Sequence, residues 1–232
     1  MSLILDLREH AEDLSRFIDL THRICRVHRF SVVFYLVNVE PVTLEGEFIR
    51  LEPMRVDHLP ALCKVGLDAS LWRWTSNQVG GASDLERYVR GALADQARGV
   101  SLPFVTIERS GGTIVGSTRF GNIDVANRKA EIGWTWVTPR WQRTAVNTEA
   151  KLLMLKHAFE IWKCVRVELK TDANNEKSRN AMMRIGAVEE GTLRNHMITE
   201  SGRFRDSVFF SIIETEWESV KANLAGKLAL SA

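Results

Sequence analysis

Residues 129–162 constrain the fold more than any other stretch of the chain. Lys129 to Val137 reads as a strand, and Pro139 ends it. From Thr148 to Trp162, Leu152, Leu153, Leu155, Ala158 and Phe159 then recur at helical spacing. A strand thus passes into a helix through one short loop. The flanking segments repeat that alternation. Thr43 to Leu51 reads as a hairpin-like turn into a strand, and Asp57 is placed to cap a helix carrying Leu59, Leu62 and Val65. A second helix is expected over 83–98, then strands over 103–108 and 113–123. Val165 to Thr171 is a strand of the buried kind. Asn175 to Ile185 is a helix stopped by Gly186. Residues 188–213 read as strands around the turn Glu200–Arg203, and a closing helix runs from Glu214 to Leu228. This order predicts an α/β fold, a mixed sheet with helices on both faces. In such sheets ligands bind beyond the carboxyl ends of strands.

Composition narrows the function. Apolar residues make up 45% of the 232 and charged residues 26%, an ordinary globular balance. The formal net charge of +2 demands neither nucleic acid nor an anionic membrane as partner, and its basic bias suits a phosphorylated cofactor. Cys25, Cys63 and Cys164 are scattered and odd in number, which argues against a disulfide framework or a zinc site. The most apolar run, Phe30 to Val39, is too short to span a bilayer, and the start has no signal-peptide pattern. The expected location is cytoplasmic. Residues 1–40 stand apart as an extension, with an amphipathic helix, a basic cluster and a β-rich run; a packing or dimerisation arm, and hence a homodimer, is one reading. Residues 41–232 form the main domain.

The junction from Val137 to Ala150 carries the most chemical information. The first turn of a helix leaves backbone N–H groups without intrahelical partners, and the helix dipole adds partial positive charge there. Such a turn is an anion site. Arg140 and Arg143 reinforce it, small Ala145 permits close approach, and Asn147 or Thr148 can cap the helix. An ordinary capped turn is the alternative.

Gln142-Arg143-Thr144-Ala145-Val146-Asn147 resembles the coenzyme A motif of the GNAT superfamily, Q/R-x-x-G-x-G/A, with Ala145 where Gly is usual and Asn147 where Gly or Ala is usual. The following Thr148-Glu149-Ala150 resembles the ribosomal-protein N-terminal acetyltransferase branch, RimJ/RimL-like. Lys170 to Ala187 resembles the family's strand, loop and helix with N-x-x-S/A, and Leu44 to Pro53 the branch's first strand. Residues 189–194 and 205–208 resemble its last strand pair, so the resemblance covers roughly residues 41–225. It implies a GNAT-type mixed, mostly antiparallel twisted sheet flanked by helices. It also implies an N-acetyltransferase that uses acetyl-CoA on a primary amine, either a protein N-terminus or a small molecule. A degenerate, non-catalytic acyl-CoA-binding module is the alternative.

By the same resemblance Trp136, Val137, Gln142, Arg143, Thr144, Ala145, Val146, Asn147 and Thr148 hold the cofactor, with a backbone N–H near Val137 as oxyanion donor. Asn175 would bond the pantetheine arm and Ser178 would lie near the sulfur; helix capping is the alternative for both. Glu131 is the expected base, with a structural glutamate as the alternative. Strict alternation puts Glu131, Gly133, Thr135 and Val137 on one face, with Ile132, Trp134 and Trp136 on the other. Many members carry a tyrosine seven residues after the Asn; Met182 stands there and cannot donate a proton, which leaves Ser178 as the nearest donor. Trp72 and Trp74 are expected to border the acceptor pocket, with core packing as the alternative, and no metal site is expected.

Overall fold

The structure, a computed structural model, describes residues 39–230. The helix and strand expected upstream of residue 39, and Cys25, lie outside the described residues.

Eight strands form one sheet. In spatial order they are β1 (Leu44–Glu45), β2 (Ile49–Pro53), β3 (Leu102–Glu108), β4 (Ile114–Asp124), β5 (Lys129–Val137), β6 (Arg166–Asp172), β8 (Phe204–Ile213) and β7 (Val188–Ile198). Every neighbouring pair is antiparallel except β5 and β6, which run parallel. The mixed, mostly antiparallel sheet is therefore as expected. Five α-helices pack against it: α1 (Leu59–Gly66), α2 (Ala82–Ala97), α3 (Ala145–Lys156), α4 (Glu176–Ile185) and α5 (Trp217–Ala229).

The central strands are buried on both faces, which is why they are so apolar, while the edge strand β7 is largely exposed. All seven residues of β3 are buried. Leu102 and Phe104 join a cluster with Met154 and Leu155 of α3 and Trp217 and Leu224 of α5. Val105 and Ile107 join a second cluster with Leu62 of α1 and Leu85 and Val89 of α2. The two periodicities, two for strands and 3.6 for helices, meet in these clusters.

Three local details differ from the sequence reading. Asp57 does not cap α1. It lies in a 3₁₀ turn, Val56–His58, and its carboxylate accepts from Arg55 Nε at 3.1 Å. The helix expected from Thr148 to Trp162 begins at Ala145 and changes at His157 into a π-helical turn, His157–Ile161. The wider turn carries Trp162 into the core, where its ring lies 4.6 Å from Phe120 and 4.8 Å from His157. Third, Glu149, read from the sequence only as part of the Thr148–Ala150 resemblance, has a structural task. It is buried and accepts backbone N–H bonds from Glu47, Phe48 and Ile49 at 2.7, 2.8 and 2.7 Å. One carboxylate thus ties α3 to the turn between β1 and β2. A Cβ on Gly46 would overlap that carboxylate, so the turn needs glycine there.

Candidate active site

The sheet splits in its middle. β5 and β6 pair only through Lys129–Glu131 and Arg166–Glu168. Beyond Glu131 the two strands diverge, and β5 from Ile132 to Val137 has no strand partner on the β6 side. A cavity of about 940 Å³ opens in the gap, lined by both strands and the first turns of α3 and α4. The parallel pair in an otherwise antiparallel sheet is the topological reversal at which such sheets bind ligands.

A bulge in β5 sets which side chains enter the gap. Gly133 pairs with Arg119 and Trp136 with Ser117, so β5 holds an extra residue at this point. Trp134 takes up the excess with a φ of 48°. Its ring lies where a Cβ on Gly121 would sit, so β4 needs glycine opposite it. The strict alternation expected for β5 therefore fails beyond Gly133. Trp136, not Val137, shares the α1–α2 face with Glu131 and Gly133, while Val137 packs with Ile132 on the α3 face. Thr135 also turns toward α3, bonding Thr118 at 2.7 Å.

The loop from β5 to α3 forms one wall. The Gln142 amide donates to Val137 O at 2.8 Å and accepts from Lys177 Nζ, tying the loop to α4. Arg143 has a φ of 64°, so the left-handed residue is Arg143, and Ala145 needs no glycine because it opens the helix. The cap is Thr144 rather than Asn147 or Thr148: its Oγ1 accepts from Val146 N at 3.3 Å and donates to Trp141 O at 2.7 Å. Thr148 Oγ1 accepts from Arg184 Nη2 at 2.9 Å. Asn147 Oδ1 and Trp136 Nε1 are buried without a hydrogen-bond partner among the described residues, and both residues line the cavity. Buried polar atoms are seldom left so. Arg143, Lys177, Arg184 and Lys227 line the same cavity; Arg140 is exposed and does not.

Deeper in, Glu131 is buried, and its Oε2 accepts from Lys170 Nζ at 2.8 Å and Asn122 Nδ2 at 2.7 Å. Its Oε1 lies over Gly133, close to where a Cβ would stand. Trp72, Trp74 and Tyr88 wall the α1–α2 side of the cavity. The Trp72 indole donates to Gly66 O at 2.7 Å, and its ring lies 5.1 Å from Tyr88 and 5.7 Å from Trp136. Trp74 carries the Arg73 and Arg203 guanidinium groups at 4.9 and 5.8 Å. Asn175 caps α4, its Oδ1 accepting from Ser178 N at 3.1 Å, and Asn175, Ser178 and Met182 all line the cavity.

Sequence reading missed four of the groups gathered here: Lys170, Lys177, Arg184 and Lys151. Lys151 is the most unusual. It lines the cavity from α3, and burial pushes its amine down to about 7. A signal was present, since Asn147, Thr148 and Lys151 share one stripe of an otherwise apolar helix. The folded protein holds fewer protons at this amine than the unfolded chain does between about pH 7 and about 10.4, so stability rises with pH across that window. We expect the melting temperature to climb more between pH 7 and pH 9 in the native chain than in Lys151→Met. Parallel curves in differential scanning calorimetry would contradict that.

The acetyltransferase (GNAT) domain family matches residues 49–188. A Bacillus subtilis (strain 168) protein named "Putative ribosomal N-acetyltransferase YdaF" is 36% identical over 110 residues, which are 47% of this chain and 59% of that one. The chain therefore spans under two thirds of the length of that relative. Among solved structures, a GCN5-related N-acetyltransferase from Brucella melitensis is 29% identical with a TM-score of 0.73, over 81% of this chain and 85% of that one. Mycobacterium smegmatis RimJ, solved in complex with CoA-disulfide, is 25% identical with a TM-score of 0.70, over 82% and 96% of the two chains. Among the described residues no helix is long and apolar enough to cross a membrane.

Proposed function

Since the chain belongs to the GNAT acetyltransferase family, we propose that it is an N-acetyltransferase of the RimJ/RimL-like branch that moves acetyl from acetyl-CoA to a primary amine. One observation carries the reading. The cationic first turn of α3 and the unpaired edge of β5 open into one cavity. A diphosphate fits the first, and an extended amide-bearing arm fits the second.

The residues present suit such a ligand. The free amides at the start of α3 receive the diphosphate, with Arg143, Lys177 and Arg184 supplying counter-charge. The Gln142 bonds to Val137 O and Lys177 hold the loop open to it. Asn147 Oδ1, without a hydrogen-bond partner among the described residues, takes a donor from the ligand. The edge of β5 around Trp136 and Val137 offers backbone groups to the arm, and Asn175 Nδ2 reaches it from α4. Acetyl-CoA, once bound, supplies the activated thioester. Glu131 accepts the proton that the incoming ammonium must lose, and Trp72 and Trp74 wall the acceptor side.

The acceptor class follows from proton arithmetic. An α-amino group near 7.7–8.0 is neutral roughly a tenth of the time at pH 7, whereas a lysine amine near 10.4 is neutral roughly once in two thousand. One carboxylate base suits the first far better than the second. The name carried by YdaF, a putative ribosomal N-acetyltransferase, is compatible with an acceptor on the ribosome. Titration of acetyl-CoA by calorimetry, with thiol release over peptides, polyamines and aminoglycosides, tests the reading. Binding followed by turnover on an amine supports it. Tight binding with no turnover on any amine indicates the non-catalytic module, and no heat at all removes the reading.

Asn175 allows a sharper test, because its two ends do different things. Asn175→Asp keeps the oxygen that caps α4 and replaces the free donor with a second oxygen. We expect the acetyl-CoA dissociation constant to rise about tenfold, the equivalent of about 1.4 kcal/mol, with the melting temperature nearly constant. An unaltered constant would leave Asn175 as a cap only.

A further inference from the structure

Lys151 is buried, 6% exposed, and among the described residues its amine has one hydrogen-bond partner, the Thr135 hydroxyl at 2.9 Å. Thr118 Oγ1 donates onward to Met154 Sδ at 3.6 Å. The Thr118 and Thr135 hydroxyls share a hydrogen bond that either can donate, and Thr135 Oγ1 also reaches Gly133 O at 3.3 Å, so among the described residues the Lys151 amine meets a hydroxyl and no charged group. Among the described residues the only carboxylate sharing its cavity is Glu131 on β5, which Lys170 on β6 already engages. The remaining charged groups there are cations: Arg73 beside Trp74, Arg143 in the loop into α3, Lys177 and Arg184 on α4, Lys227 on α5 and Arg205 on β8. Burial without a counter-charge lowers the pKa of the amine to about 7. An amine that can both hold and release a proton near neutral pH is therefore built into the wall of the cavity.

Acetyl transfer to an ammonium moves two protons. Glu131 stands on the α1–α2 face and serves the first. Resting on the acetyl-CoA reading above, we propose that Lys151, on the opposite face, carries the second proton from the acceptor nitrogen to the leaving sulfur. As the C–N bond forms, the nitrogen holds one proton too many, and Lys151 Nζ takes it. As the C–S bond breaks, Lys151 returns that proton to the sulfur, and the amine ends uncharged as it began. Burial without a counter-charge weakens the hold of this amine on the proton, which favours its release to the thiolate. The carrier fills the vacancy left by Met182, which has no proton to give.

The test uses the full chain and the Lys151→Met variant, whose unbranched side chain occupies similar space. We expect kcat at saturating acetyl-CoA and peptide to fall about 100-fold, within the range of lost acid–base catalysis. The rising limb of kcat near pH 7 should vanish with it. The melting temperature should hold or rise, and the acetyl-CoA dissociation constant by calorimetry should stay within about threefold. A kcat within threefold of the native value, with binding intact, overturns the proposal alone. A lowered melting temperature together with loosened acetyl-CoA binding assigns Lys151 a structural role and also overturns it. So does an acetyl group found on Lys151 by peptide mass mapping, since an acylated nitrogen carries no proton. Absence of heat with both proteins removes the acetyl-CoA reading and this proposal together.

Discussion

Glu149→Ala should lower the melting temperature by about 10 °C or more, the largest stability effect expected of any single change at the site's edge. Three backbone N–H groups, of Glu47, Phe48 and Ile49, converge on this one carboxylate. Hydrogen bonds to a charged acceptor contribute about 1.5–3 kcal/mol each, and donors stranded without one cost about 1–3 kcal/mol each. Some of the freed N–H groups are partly exposed, so water recovers part of that. A net loss of about 4 kcal/mol remains, and at about 2–4 °C per kcal/mol for a chain of this size the shift follows. Glu149→Gln should fall between, since one amide oxygen can serve only some of the three donors. Because Glu149 follows Thr148 just past the first turn of α3, the alanine variant should also loosen acetyl-CoA binding. Thermal unfolding followed by circular dichroism decides the matter, and a shift below about 3 °C would show that the β1–β2 turn does not depend on this tie.

Glu131→Gln should lower kcat by about 100- to 1,000-fold at pH 7, with the acetyl-CoA dissociation constant little changed. The glutamine keeps the shape and an oxygen for Asn122 and Lys170, so the cavity survives while the negative base is gone. The pH dependence separates this from a structural defect. Without a base, reaction waits for an acceptor amine that is already neutral, and for an α-amino group that fraction grows nearly tenfold per unit up to about 7.7. The deficit of the variant should therefore shrink as pH rises from 6 to 8. A deficit constant across that range, or equal activity in both forms, would remove Glu131 from proton transfer. The loss of the charge facing Lys170 should cost some stability, so the melting temperature belongs beside the kinetics.

Much of this molecule could be read from local pattern. The alternation of strand and helix, the Gly186 stop with its φ of 102°, the β7–β8 hairpin and the loop into α3 follow from periodicity and from the conformational habits of a few residues. Those rules act within a turn or two of the chain. They placed a helix start next to Gln142–Thr148, although the cap proved to be Thr144. Gln142, Arg143, Thr144, Asn147, Thr148 and Asn175 line the cavity, while Ala145 and Val146 do not. The gap between β5 and β6 was not legible, because strand pairing is a relation between segments far apart in sequence. The bulge at Trp134 was not legible either. It depends on Gly121 leaving room across the sheet, and one inserted residue moved Val137 and Trp136 to faces opposite those that alternation predicts.

The sequence by itself determined the element order, the helix stops and the anion-ready turn, since each arises from backbone geometry and side-chain chemistry over short spans. Only the tertiary structure decided which charges meet. Glu149 finds three amides a hundred residues away, Glu131 finds Lys170, and among the described residues Lys151 meets a hydroxyl in place of a carboxylate. The physical reason is that ionisation and hydrogen bonding answer to burial and distance in space, and neither quantity exists until the sheet has closed around its two cores.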